Sequence, residues 1–151
     1  MHFKKFEFVN QEEINQLKSL LLEYFFEIDG VEFDVDNYII NLEKSLIKYS
    51  TLVLLVAFIE NKIIGFLFGN TKYYYNDDNC GYILEMFTNK SYRNNHIAKS
   101  LIENFENMCF YDKVYLTSSQ GAIKFYEKVG YSNSGLVDED NGLKVFVKII
   151  K

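Results

Sequence analysis

The sequence predicts a single α/β domain over residues 1–151, with a mixed sheet and helices on both of its faces. Three observations carry this. A chain of 151 residues is long enough for one domain of this kind and too short for two. Segments rich in β-branched and aromatic residues are interleaved with segments whose apolar residues recur every three or four positions. No Gly/Ser tract or internal repeat divides the chain, and proline is absent.

The elements follow in order. Residues 3–9 (FKKFEFV) alternate loosely and predict a first strand. Asn10 with Glu13 is a capping box, and Ile14, Leu17, Leu20, Leu21, Tyr24 and Phe25 continue at helical spacing. That helix should stop near Asp29-Gly30, where glycine favours the left-handed exit. A second helix is predicted from Asp36 to Tyr49, with Tyr38, Ile39, Leu42, Leu46 and Ile47 on one face. Residues 51–59 (TLVLLVAFI) read as a buried strand and 63–75 as its hairpin partner, ending raggedly in Tyr73-Tyr74-Tyr75. Asn76–Asn79 is a loop, and 81–88 (GYILEMFT) a further strand. Ile97, Leu101, Ile102, Phe105 and Met108 place a helix over 96–109. A strand at 113–117, a helix at 120–129 ended by Gly130, and a hairpin of 131–137 with 143–150 turned at Asp140-Asn141-Gly142 complete the order β-α-α-β-β-β-α-β-α-β-β.

Composition excludes several classes. With 48% hydrophobic and 25% charged residues the chain is globular rather than disordered. Its longest apolar run, Leu52–Ile59, falls far short of the roughly 20 residues of a membrane span. The opening MHFKKFEFVN lacks the apolar stretch of a secretory leader. A soluble, cytoplasmic protein without a membrane partner is expected. A net charge of −5 and the lack of any Lys/Arg block speak against nucleic acid. Cys80 and Cys109 are isolated thiols that make neither a zinc set nor a disulfide framework, so no metal is expected.

Two segments carry chemistry. Tyr82–Leu101 reads strand, loop, helix, and the turn Arg93-Asn94-Asn95-His96-Ile97-Ala98 aims free backbone N–H groups at a helix start, where an anionic phosphate is favoured. Asn94 and Asn95 tolerate positive φ and could make that turn without glycine. A plain strand-to-helix connection accounts for the segment equally well. No P-loop or dinucleotide-binding glycine motif is present. Ser118–Tyr131 is an amphipathic helix with Ala122, Phe125, Tyr126 and Val129 inward, and by spacing alone Tyr126 is a core aromatic.

Together these segments resemble the GNAT superfamily of acetyl-CoA-dependent N-acetyltransferases. Arg93, His96 and Ala98 stand where that family has an Arg or Gln, a Gly, and a Gly or Ala. Ala122, Phe125, Tyr126, Gly130 and Tyr131 match its later Ala-x-x-Phe-Tyr-x-x-x-Gly-aromatic helix. The departure is His96 in the glycine position, which either crowds a pyrophosphate or hydrogen-bonds it. The resemblance implies an acyl-CoA N-acyltransferase fold: a mostly antiparallel sheet with a splayed parallel pair, here 82–88 and 113–117. It implies acetyl-CoA as co-substrate. Backbone groups of Phe87 and Thr88 would hold the pantetheine arm, with Ser119 touching it, and the turn Arg93, Asn94, Asn95, His96, Ile97 and Ala98 would hold the pyrophosphate. Tyr126 would protonate the leaving thiolate, and Glu85 is the candidate base, a solvated outward carboxylate being the competing reading. Cys109 is not needed as a nucleophile. The acidic run Glu23, Glu27, Asp29, Glu32, Asp34 and Asp36 suggests a cationic small-molecule amine such as a polyamine or aminoglycoside, or else simply a solvated helix end. The alternatives are a catalytically silent CoA-binding module and a protein N-terminal or lysine acetyltransferase. The apolar final segment Val145–Ile150 would be a sticky sheet edge, and a homodimer is one way to cover it.

Overall fold

Every residue from Val53 to Phe58 is buried, yet successive side chains of a strand point to opposite faces. The segment therefore needs cover on both sides, and the computed structural model, which describes residues 1–29, 33–93 and 96–151, supplies it. The elements are β1 (His2–Lys5), α1 (Gln11–Asp29), α2 (Val35–Lys48), β2 (Leu52–Ile59), β3 (Lys62–Tyr75), β4 (Asp78–Thr88), α3 (Ile97–Met108), β5 (Lys113–Ser118), α4 (Ile123–Lys128), β6 (Ser132–Val137) and β7 (Lys144–Ile149). The strands form one seven-stranded sheet in the order β1-β2-β3-β4-β5-β7-β6. Among the described residues only β4 and β5 pair in parallel; the other neighbours are antiparallel. The fold class predicted from the sequence is the one observed.

Alternation on β2 builds two cores. Val53, Leu55 and Ala57 join Ile97, Leu101, Ile102 and Phe105 of α3 on one face. Leu54, Val56 and Phe58 join Leu17, Leu20 and Leu21 of α1 and Ile39 and Leu42 of α2 on the other. Glycines let these layers close: a Cβ on Gly69 would lie 2.5 Å from the Phe105 ring, and one on Gly81 2.5 Å from Cys109 Sγ.

Helix starts obey the sequence signals in part. Asn10 Oδ1 accepts from the Glu13 N–H at 3.1 Å, but the Glu13 carboxylate pairs with Lys4 Nζ at 3.1 Å, so only half of the capping box forms. The second helix starts a residue early because Asp34 caps it, accepting from the Asn37 N–H at 3.1 Å. Its predicted inward face is narrower than expected, since Ile47 is exposed. The exit at Gly30 lies outside the described residues. The first strand ends at Lys5, short of the predicted Val9, and β3 runs in order to Tyr75, whose ring packs on Tyr82 and Tyr115. The final strand is not an edge: β7 lies between β5 and β6, so Val145 and Phe146 are buried and the premise for a sticky terminal edge falls away. The outer strand on that side is β6. No helix among the described residues is long and apolar enough to cross a membrane.

Candidate active site

The parallel ladder is short. It pairs Gly81 with Val114, Tyr82 with Tyr115 and Ile83 with Leu116, and then stops, although both strands continue. The cause lies one residue further on. Phe68 faces Glu85 but Gly69 faces Ile83, so Leu84 is an extra, bulged residue in β4. A bulge bends its strand and increases its twist. Here it carries the end of β4 away from β5 and leaves a strand edge open.

The bulge also changes parity. Ile83 packs with the α3 core, and in a regular strand Glu85, two residues on, would point there too. Instead Glu85 sits opposite Phe68 and shares the α1/α2 face with Phe87. Burial pushes its carboxyl up to about 7 from an ordinary 4.5. Tyr126 reaches the same gap from α4. It is 9% exposed, and burial first, then the charge of Glu85, push its phenol up to about 12. The charge of Glu85 thus bears on Tyr126 across the open edge. The Tyr126 carbonyl accepts from the Tyr131 N–H at 2.9 Å, which fixes the end of the short helix.

Between α3, α4 and the end of β4 lies a cleft of about 630 Å³, lined among others by Thr88, Arg93, His96, Ile97, Ala98 and Tyr126. The Asn89 N–H donates to the Ile64 carbonyl at 2.7 Å, just beyond the Gly65–Thr88 pair. In an antiparallel ladder backbone groups alternate in direction. Those of Phe87 therefore face β3, and those of Met86 and Thr88 face the gap. Motif matching puts the arm on Phe87 and Thr88 and misses Met86; the period-two alternation of backbone direction is the signal that finds it.

The phosphate turn is partly described. Asn94 and Asn95, like Glu32 of the acidic run, lie outside the described residues. His96 is the N-cap of α3 with φ 59° and ψ 19°, a left-handed conformation that glycine adopts freely and histidine does not. Its side chain makes no capping hydrogen bond and the first turn holds no acidic residue, so among the described residues nothing caps the N–H groups of Ile97, Ala98 and Lys99, and an outside acceptor suits them. The Arg93 guanidinium is committed elsewhere. Its Nη1 and Nη2 donate to Glu27 at 3.1 and 2.7 Å, its Nε donates to the Thr88 carbonyl at 3.1 Å, and it lies over the Phe87 ring at 5.1 Å. That pairing lowers the Glu27 pKa and raises that of Arg93. Ser119 precedes the turn into α4 and is exposed, outside the cleft lining.

Much of the acidic run is occupied by local structure. Glu23 accepts from Asn89 Nδ2 at 2.9 Å and from the Lys90 N–H at 3.2 Å, Glu27 holds Arg93, Asp34 caps α2, and Asp36 pairs with Lys18 at 2.9 Å. Both cysteines are buried, and burial raises Cys80 to about 11 and Cys109 to about 12, so neither thiolate is available near neutrality.

Residues 14–131 match the Acetyltransferase (GNAT) family. The chain belongs to that family. It is 32% identical over 83 residues to glucosamine 6-phosphate N-acetyltransferase 1 of Dictyostelium discoideum, covering 50% of this chain and 52% of that protein. The chain thus spans about half the length of this curated relative. Among solved structures, an aminoglycoside 6′-N-acetyltransferase complexed with coenzyme A superposes with TM-score 0.77 at 17% identity, covering 100% of this chain and 98% of the other. The aminoglycoside 6′-N-acetyltransferase of Enterococcus faecium gives 0.75 at 18%, with the same coverage. At such identities the likeness concerns the fold alone.

Proposed function

We propose that the protein transfers the acetyl group of acetyl-CoA directly to the primary amine of a small cationic molecule, with amino sugars and aminoglycosides ahead of polyamines. The observation that carries this is the open edge of β4, with Glu85 and Tyr126 on either side of it and the bare N-terminus of α3 at its end. The site fits a CoA thioester. Backbone groups of Met86 and Thr88 would pair with the amides of the pantetheine arm like an added strand. The N–H groups from His96 to Ala98, with Asn94 and Asn95, would receive the pyrophosphate. Arg93 would act from behind, holding the turn to α1 through Glu27.

The thioester supplies the activated acetyl group, and the protein supplies position and proton traffic. The amine nitrogen must be unprotonated to attack the carbonyl carbon. Glu85, with its raised pKa, takes the ammonium proton through water near neutral pH. A β4 backbone N–H at the bulge would donate to the charge that develops on the carbonyl oxygen. As the carbon–sulfur bond breaks, the Tyr126 hydroxyl gives its proton to the thiolate; a phenol pushed up to about 12 is fully protonated beforehand. The preference for an amino sugar rests on the named relatives, because the carboxylates expected to attract a cation are mostly engaged in local contacts.

The test is thermal unfolding with acetyl-CoA, then thiol release with a panel of amino sugars, aminoglycosides and polyamines. At about 100 times its dissociation constant the donor should stabilise the fold by about 2.7 kcal/mol. No shift at millimolar acetyl-CoA would reject the reading. Tyr126→Phe should lower kcat about 10²-fold or more with CoA affinity kept; unchanged turnover would remove Tyr126 from the mechanism.

A further inference from the structure

The chain carries a net charge of −5, yet among the described residues no Asp or Glu lines the cleft, and its charged lining is basic: Arg93, Lys99 and Lys128, beside His96. Arg93 is neutralised by Glu27. Lys99 and Lys128 are not comparably engaged. Lys99, the third residue of α3, has among the described residues only a loose contact at 3.9 Å with Glu103 one turn on. Lys128, the last residue of α4, makes no ion pair among the described residues. They stand on different walls of one cleft, both exposed at its mouth, where their stems can lie on the walls and the ammonium groups stay in water.

Such a mouth suits a solvated polyanion. In the reading above the α3 amides would receive the pyrophosphate, for which backbone N–H groups suffice. CoA carries one phosphate more, the ribose 3′-monoester, close to doubly charged at neutral pH and far from the thioester. Accepting the acetyl-CoA reading above, we infer that Lys99 and Lys128 form a two-lysine clamp on that 3′-phosphate, which makes the protein selective for CoA over carriers lacking it. The clamp acts on donor affinity and leaves the bond-making step alone. Lysine is suited to this as a hydrated point charge that needs no fixed fork geometry.

Calorimetric titration of the folded protein with CoA and with dephospho-CoA tests the clamp without any turnover. At low salt the wild type should bind CoA about tenfold more tightly, a difference of about 1.4 kcal/mol. In a Lys99→Ala/Lys128→Ala double variant, which keeps every backbone N–H, the ratio should fall to near one chiefly through loss of CoA affinity, with dephospho-CoA still bound and reporting an intact cleft. The Lys99→Arg/Lys128→Arg variant should restore the ratio, and added salt should shrink it, because exposed charges are screened. Equal affinity of the wild type for both nucleotides, or a ratio that persists in the double alanine variant, would overturn the clamp while leaving the acetyl-CoA reading standing. Binding of neither nucleotide would overturn both.

Discussion

Replacing Glu85 by Gln separates the stability of this fold from its chemistry. The carboxyl ordinarily titrates at 4.5, and burial raises it to about 7 in the folded chain. A tenfold change in proton affinity corresponds to about 1.4 kcal/mol, so the folded state disfavours the ionised form by about 3 kcal/mol, trimmed toward about 2 because the residue is only half-buried. The folded chain binds this proton more tightly than the unfolded chain. Between 4.5 and 7 the native state therefore holds more protons, and stability falls as pH rises through that window, levelling off above it. Gln has no proton to lose. Urea unfolding should show Glu85→Gln within about 1 kcal/mol of wild type at pH 5 and about 2–3 kcal/mol more stable at pH 8. The same substitution removes the candidate base. Wild-type kcat/KM should climb with pH to an inflection near 7, and the variant should lose both that inflection and about 10²-fold or more in rate. A variant equally stable relative to wild type at both pH values would refute the buried-carboxylate reasoning. A retained inflection would refute the base.

Three further outcomes follow from particular contacts. Gly81→Ala puts a methyl 2.5 Å from Cys109 Sγ and should cost about 1–3 kcal/mol, with Cys109→Ala in the same chain recovering part of it; no recovery in denaturant unfolding would deny the clash. At position 96, with φ 59°, Gly should give a fold about 1 kcal/mol more stable than Ala, measured as the difference between the two variants; equal midpoints would show that the left-handed turn is not maintained. Thr88 Oγ1 is buried with no hydrogen-bond partner among the described residues, so Thr88→Val should stabilise by about 1–3 kcal/mol and raise the melting point of a chain this size by about 2–4 °C per kcal/mol, with CoA affinity kept through the unchanged backbone.

The elements were legible because burial and periodicity agree locally. Val53–Phe58 could only be a strand covered twice, and the α3 face from Ile97 to Phe105 could only be an amphipathic helix. What the sequence hides is pairing. Nothing in GYILEMFT marks Leu84 as unmatched, because a bulge is defined by the partner strand. The buried place of β7 and the open edge at Met86 are likewise facts of sheet order. Charges were harder still: the acidic run read either as a field for a cation or as a solvated helix end, while Glu27, Asp34 and Asp36 are each spent on a partner that composition does not reveal. His96 was visible as an oddity, but its left-handed backbone, which explains why glycine suits that position, was not.

Leu84 also sets a rule about chain length. Its side chain is 41% exposed, so little of the core depends on its identity. Its presence is another matter. Take it out, and Ile83 and Glu85 become ordinary neighbours opposite Gly69 and Phe68, the partners they already have. Every remaining side chain of β4 keeps its face, and both cores stay as they are. The bend alone is gone, and a straight strand can resume its rungs with β5. A chain shortened by this residue should therefore melt much like its parent and ignore acetyl-CoA; retained donor binding would show that something else holds the strands apart. Spelling can drift here, but counting cannot. An ordinary leucine keeps the door of the site ajar by being one too many.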